Sequence, residues 1–433
     1  MMASQEHGGH DDTIVAFGLS TETWPSASTI TSTATPDPIP TPKSASDLLQ
    51  GLVRQTQLLA CLQWLGMFQI LAYVPPTETV AYDDLADLAG VPPAQIRRIV
   101  RVAATAGILC EPRPDYVAHT PLSIRLYKRP SFMDALRFAA ETVVPTSLRM
   151  ADAARRHTPC HQEHAGPAWI AADSALPTLA SACERDRKLR RRAIAFRRLT
   201  AVNRTSAVLE MLSSVDLEEL GQTVVAVNST STAIAKSLRG RNPSLHFVVQ
   251  MHQGTAKQNE KSESACYRDS SRRGGTPSWL EVRNRAPGTT QDEKDAAVYL
   301  LHVPDPFFYA SSGAHAEVCV AELRAHFDML RTNETATVIL IADVVPESGG
   351  LGGGGGGGGG GGSPDGPAEV RARLDDLLLL QTGHDAVFDV KRLEALLEFA
   401  REGADSVTVV NRLSSASHSL VAIVLRSRGL ASY

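Results

Sequence analysis

The chain has 433 residues, 43% of them hydrophobic and 21% charged, with a formal charge of −4. That length predicts two or three domains with real cores, and the charge excludes a chain-wide nucleic-acid footprint, so any such contact must be local. Six cysteines (Cys61, Cys110, Cys160, Cys183, Cys266 and Cys319) lie far apart with no CxxC pair, which excludes a disulfide framework and predicts reduced thiols in an intracellular protein.

Residues 1–44 are rich in Ser, Thr and Pro and lack the basic-then-apolar order of a secretory signal. They bury too little surface to offset ordering entropy and are predicted to be a disordered tail. Ser46-Asp47 is expected to cap the first helix, and Leu48, Leu52, Leu59 and Leu62 recur at near-helical spacing toward Leu71. The apolar stretch Leu58 to Val74 is interrupted by Gln63 and Gln69. It is too short and polar for a membrane span and predicts a buried helix, with Trp64, Phe68 and Phe132 as core residues.

A short helix follows over Asp83 to Leu88, then the turn Gly90-Val91-Pro92. A second helix, Ala94 to Ala106, is led by Pro93, buries Ile96, Ile99, Val100 and Ala103, and is terminated by Gly107. Ile108 to Glu111, Pro112 to Asp115 and Tyr116 to His119 then read strand, turn, strand. Helix, turn, helix, hairpin predicts a winged-helix domain over 45–128. Arg97, Arg98 and Arg101 fall on the face of its second helix opposite the apolar residues. They are candidates for DNA contact through phosphates or guanine edges; the other reading of the same face is a solvated surface in a dimerisation domain.

Residues 129–215 read as a helical linker region. His157, Cys160, His161 and His164 (HTPCHQEH) are ligand types for zinc, but a zinc site needs a second such cluster, none is evident, and no metal is assigned. Eight basic residues fall within the fourteen positions Arg185 to Arg198. Arg187, Lys188, Arg190, Arg191 and Arg192 are candidates for a nuclear localisation signal. The same run also reads as the solvated face of a linker helix whose Leu189, Ala193, Phe196 and Leu199 face inward.

From 216 to 433, strand-like and helix-like segments alternate, which predicts an α/β domain with helices on both sheet faces. The strands are expected at Val224 to Val227, Leu245 to Gln250, Ala296 to His302 and Thr337 to Val344, with Ser406 to Asn411 and Leu420 to Leu425 as an antiparallel closing pair. Ala316 to Arg331 and Val390 to Glu402 show helical periodicity. A polar insert, 253–294, carries a short strand near Leu280-Glu281-Val282. The loop 349–362 includes eleven consecutive glycines, Gly352 to Gly362; with no GxxxxGK[ST] pattern it is a flexible spacer and not a phosphate loop. Between the first strand and its helix stands Asn228-Ser229-Thr230-Ser231-Thr232. In a Rossmann-type domain this turn holds a cofactor and needs glycines for close approach and positive φ; none is present.

The run Leu58 to Ala72 (LLACLQWLGMFQILA) and the following DLADLAGVPPAQIRRIVRVAATAGIL resemble the first domain of fungal O-methyltransferase-like proteins. The resemblance is to the transcriptional co-activators of aromatic polyketide gene clusters, the aflatoxin-pathway co-activator type. It extends from about Leu48 to the C-terminus, outside the insert and the polyglycine, and is strongest over Leu58 to Leu122.

The resemblance implies an N-terminal winged helix of the dimerisation type and a Rossmann-like methyltransferase-type domain. Active relatives of this kind hold S-adenosylmethionine through a Gly-rich turn after the first strand and an acidic residue after the second, and use a His-Asp pair after the fourth as general base. The corresponding positions here are Asn228, Ser229, Thr230, Ser231 and Thr232, then Gln250 or Met251 without charge, then His302 and Asp305 with Pro304 before the aspartate. Three elements are altered together, so the expectation is a degraded cofactor site, no catalytic residues and no cofactor. The resemblance further implies a nuclear co-activator whose partner is a pathway-specific binuclear zinc-cluster transcription factor, with promoter DNA met directly or through that partner, no membrane, and a homodimeric form open. Two other readings stay open: an active S-adenosylmethionine-dependent O-methyltransferase, and a stand-alone winged-helix DNA-binding regulator.

Overall fold

The computed structural model describes residues 44–156, 168–171, 178–201, 204–252, 279–346, 367–384, 386–402, 406–415 and 419–428. The tail 1–43, the HTPCHQEH cluster, residues 253–278 of the insert and the polyglycine loop lie outside the described residues. Residues 1–50 and 51–433 form two units. In the first, Ser44 Oγ accepts the backbone N–H of Asp47 at 3.1 Å, so Ser44 and not Ser46 caps helix α1 (Ala45–Met67).

The expected helical run to Leu71 breaks at Gln69, whose φ of 56° is left-handed; Ile70–Tyr73 is a separate turn of helix. Strand β1 (Val80–Ala81), helix α2 (Tyr82–Ala89) and helix α3 (Pro93–Ala104) follow, then β2 (Cys110–Arg113) and β3 (Tyr116–Ala118). Gly90 at φ 65° supplies the left-handed residue that ends α2. The sequence did not predict β1. It pairs antiparallel with β3, Val80 opposite Val117, and makes the hairpin a three-stranded sheet. Leu65, Ile70, Leu85, Ile96, Val100, Ala103 and Val117 form the core here. Trp64, Phe68 and Phe132 pack at its edge, half-buried, with the Trp64 and Phe68 rings 4.6 Å apart.

Helix α4 (Pro130–Phe138) and helix α5 (Arg187–Thr200) lead to the large sheet. Asp186 caps α5, accepting from Lys188 N at 2.7 Å and Leu189 N at 3.2 Å. A separate apolar cluster gathers Phe138, Leu179, Ala193, Phe307 and Leu378, joining this helical region to the elements below.

The sheet strands are β4 (Thr223–Ser229), β5 (His246–His252), β6 (Leu280–Arg285), β7 (Val298–His302), β8 (Thr337–Asp343), β9 (Val407–Ser414) and β10 (Leu420–Ser427). Helices α6 (Ala233–Arg241), α7 (Ser312–Thr332), α8 (Pro367–Thr382) and α9 (Val390–Arg401) accompany them. The sheet order is β6-β5-β4-β7-β8-β10-β9. The first five strands are parallel, and β10 runs antiparallel to both β8 and β9. All five residues of β7 are buried, the pattern of a central parallel strand covered on both faces. One face is covered by Val320, Leu323 and Phe327 of α7 and Leu393 and Leu397 of α9; the other by Val208, Leu212, Ala235 and Leu238.

The polar insert carries the strand expected near Leu280-Glu281-Val282. Six of its residues form β6, whose register with β5 runs from Phe247↔Leu280 to His252↔Arg285. Pairing with β5 satisfies a backbone whose side chains are mostly polar and exposed, which is why hydrophobic periodicity under-reports it. Among the described residues no helix is long and apolar enough to cross a membrane.

Candidate functional site

The order of strands reverses between β4 and β7, and in open α/β sheets ligands bind outside the carboxyl ends of the strands at such a point. There, Asn228 stands next to last in β4, His302 ends β7 and Asp343 ends β8, and α5 and α8 close over them around a cavity of about 640 Å³.

The turn after β4 keeps its backbone geometry without glycine. Asn228 takes φ 54°; asparagine is among the few residues that tolerate this region. Its Nδ2 donates to the carbonyl of His302 at 3.1 Å, so the side chain ties β4 to β7. The positive φ that such a turn takes from glycine is therefore supplied here by asparagine. What differs is occupancy. Ser229 and Thr232 are buried, Ser229 Oγ donates back to Ala226 O at 3.2 Å, Ser231 Oγ accepts from Ala233 N, and the Arg198 guanidinium reaches Thr230 O at 3.5 Å.

At the end of β5, Met251 is buried among the core. Gln250 is buried against Gln291, each amide donating to the other at 2.6 and 3.0 Å. Gln291 Nε2 also lies 3.2 Å from His326 Nε2. Beside them Arg285 and Glu322 form a fully buried ion pair at 2.5 Å. This polar cluster occupies the sheet edge where the resemblance puts a ribose carboxylate.

At the end of β7, His302 is 2% exposed. Burial, with a smaller push from Arg204, holds its imidazole well below the ordinary value, and neither ring nitrogen has a hydrogen-bond partner among the described residues. Asp305 is held bidentately by Arg197, Nε to Oδ2 at 2.9 Å and Nη2 to Oδ1 at 3.2 Å. Its Oδ1 also accepts Phe307 N at 3.1 Å, capping the turn Pro306–Phe308. Arg197 Nη1 donates to Asp375 Oδ1 on α8 at 2.8 Å. Burial raises both carboxyls. For Asp305 the Arg197 charge and hydrogen bonds outweigh it and the net shift is downward; Asp375 shares the same guanidinium, faces Asp305 and stays raised. Arg204 Nε pairs with Asp343 at 2.5 Å.

The candidate DNA-contact arginines are not equally available. Arg97 pairs with Asp115 at 2.8 Å and lies over the Tyr82 ring. Arg101 forks onto Glu111 at 2.8 and 2.9 Å, and that hydrogen bond pulls the Glu111 carboxyl down to about 2. Two of the three therefore brace α3 against the hairpin, while Arg98 is exposed. The basic run is divided similarly. Arg187, Lys188 and Arg191 are exposed, but Arg191 pairs with Asp134 at 2.8 Å, Arg192 is 13% exposed and pairs with Glu141 at 2.6 Å, and Arg190 lines the cavity. The inward apolar face expected of α5 is present, but its basic face is not open: Arg191 and Arg192 meet Asp134 of α4 and Glu141 just beyond it, and Arg197 meets Asp305 and Asp375. Among the described residues no group of three or more His, Cys, Asp or Glu is placed to hold a metal.

The Arg197–Asp305–Asp375 network, the Arg204–Asp343 pair and the Gln250–Gln291 pair were not predicted. Their partners lie 108, 178, 139 and 41 positions apart, beyond any local pattern. The one readable signal was Asp305-Pro306, a cap followed by proline at the first helical position.

No family model matches the chain. A transcriptional coactivator of Pseudocercospora fijiensis is 36% identical over 85% of this chain and 94% of its own length. The trypacidin cluster transcriptional coactivator of Aspergillus fumigatus is 34% identical over 88% and 81%, and the monodictyphenone cluster transcriptional coactivator of Emericella nidulans 31% over 88% and 85%. Among solved structures, the mitomycin 7-O-methyltransferase superposes with a TM-score of 0.56 at 15% identity, covering 88% of this chain and 98% of that one. An amino-demethyl-riboflavin dimethyltransferase from Streptomyces davawensis superposes at 0.60 and 16%, covering 89% and 100%. At those identities the methyltransferases establish the fold, an N-terminal helical domain followed by a Rossmann-like domain, and the relatives establish the kinship: this chain belongs to the family of transcriptional coactivators of fungal secondary-metabolite clusters.

Proposed function

We propose that this protein is a non-catalytic coactivator: an O-methyltransferase-like chain that works with a pathway-specific transcription factor to switch on an aromatic polyketide cluster in the nucleus. The observation that carries the non-catalytic part is the Arg197–Asp305 fork. A His-Asp pair acts as general base when its carboxylate orients the imidazole; the Asp305 oxygens both serve one arginine, one of them also caps a turn, and His302 is left without that partner. S-adenosylmethionine does not fit the residues present. The carboxylate its ribose needs is replaced by the self-satisfied Gln250–Gln291 pair, and side chains fill the turn where the cofactor requires bare backbone.

The division into a winged-helix domain over 45–128, a linker over 129–215 and a Rossmann-like domain over 216–433 belongs to the same reading. So does a binuclear zinc-cluster factor as partner. Any direct promoter contact through α3 falls chiefly on Arg98, and any nuclear signal on Arg187 and Lys188. Calorimetric titration with S-adenosylmethionine and its demethylated product tests the reading, with no heat of binding expected; micromolar affinity for either would overturn it. A promoter–reporter assay with the partner, with and without this chain, tests coactivation, and equal output in both would overturn it.

A further inference from the structure

The cleft outlasts the cofactor grip. A chain that needed only an outer surface would gain by collapsing it, since filled interiors are more stable than cavities. Instead the carboxyl end of the sheet keeps a space of about 640 Å³, in the range that takes a small molecule. Its walls state which kind. Val303, Val344, Phe308, Tyr309 and Phe388 supply apolar and aromatic surface. Five arginines line it, and five carboxylates match them; Arg197 and Arg204 are already paired with aspartates. A cavity without surplus positive charge does not select a phosphate or a carboxylate. His302 lies on the cavity wall, 2% exposed, and its two buried ring nitrogens have no hydrogen-bond partner among the described residues. Buried polar groups normally have partners. Held neutral by burial, the imidazole offers one N–H and one lone pair, which suit a ligand carbonyl and a ligand hydroxyl.

We propose that this cleft is a binding site for a neutral aromatic small molecule bearing hydroxyl or carbonyl groups, with His302 as its polar anchor. The ligand sits between the sheet ends and α5, and a turn of the His302 ring brings a nitrogen to it. The site is independent of the cofactor question: S-adenosylmethionine is a cation with a zwitterionic tail and a ribose, and matches neither the balanced charge nor the apolar wall.

The test uses the full-length protein and 3-hydroxyflavone, a neutral planar probe with adjacent hydroxyl and carbonyl groups whose emission reports a dry environment. Saturable binding at micromolar concentration is expected, with a shifted emission band. His302→Leu should weaken it at least tenfold while leaving the melting temperature unchanged or higher, because it removes unpartnered buried nitrogens. Thr230→Trp, an exposed position on the cavity rim, should block the probe without disturbing the core. Competition by S-adenosylmethionine would contradict the non-catalytic reading and leave the flavone result standing. Absence of saturable binding overturns the proposal, as does unchanged affinity in both variants, which would mean that the ring nitrogens serve internal water and that the probe sits elsewhere.

Discussion

Arg197 and Asp305 join through two hydrogen bonds, at 2.9 and 3.2 Å, although they stand 108 positions apart. With Asp375 at 2.8 Å, the guanidinium ties the helical linker to the end of β7 and to α8. The aspartate beside the place where the resemblance expects a catalytic base is used as a latch.

Removing the latch should be costly. Arg197→Ala leaves two partly buried carboxylates facing each other, and loss of one partner from a buried pair costs about 3–5 kcal/mol. The low end is expected, since Asp305 keeps some solvent contact. Chemical denaturation should show a fall of about 3 kcal/mol; a change under about 0.5 kcal/mol, the scale of ordinary surface substitutions, would show the network to be incidental.

The same network sets an acid-side pH dependence. Asp305 has a lowered carboxyl in the folded protein, so its contribution is present above the unfolded value near pH 4 and is lost as pH falls through the lower folded value. Asp375 is raised, so its contribution has the opposite sign: it is fully present below the unfolded value and lost as pH rises through the folded one. Melting temperature followed downward from pH 6 should drop more steeply below about pH 4 in the wild type than in Arg197→Ala, whose pair is already broken. Parallel curves would refute the assignment.

Gln250 and Gln291 should behave as one unit. Gln250→Leu takes from the Gln291 amide its reciprocal partner, leaving it only His326 and the Glu293 N–H, and should cost about 1–3 kcal/mol. Gln250→Leu with Gln291→Leu should cost less than the two single changes together, because no buried amide loses its reciprocal partner. A double-mutant cycle by denaturant titration measures the coupling, and additive effects would count against a reciprocal pair.

On α3, Arg98 and its neighbours should separate. If the helix contacts DNA, Arg98→Ala should weaken the partner–promoter complex and reduce its salt slope by about 1. Arg101→Ala should act mainly on the hairpin, by releasing Glu111 from its fork. Mobility shifts across a salt series distinguish them. An unchanged slope for Arg98→Ala confines this helix to structural duty.

Nuclear entry through α5 should depend on Arg187 and Lys188, which are exposed, and not on Arg192, which is 13% exposed and bound to Glu141. A fluorescent fusion of Arg187→Ala with Lys188→Ala, expressed without the partner, should shift to the cytoplasm. Retention in the nucleus would leave the run as a helix face only.

Local chemistry made much of the fold legible in the sequence. Pro93 and Gly107 bracket α3 because one fixes φ for a helix start and the other takes the left-handed conformation after its end. The buried runs of β4, β7 and β8 stand out because parallel strands covered on both faces lose the polar alternation. The absence of glycine after β4 was visible as well, but its meaning was not. Sequence alone marked the turn as crowded by side chains, whereas the structure shows that Asn228 supplies its positive φ and that Ser229 and Thr232 are buried. A strand near Leu280 was legible, but the register of β6 against β5 and the pairings of Arg97, Arg101, Arg191, Arg192 and Arg197 were decided only by tertiary structure. An ion pair or an edge-strand register depends on which distant segments meet. A run of arginines reads the same in one dimension whether its charges face water or the carboxylates of a neighbouring helix.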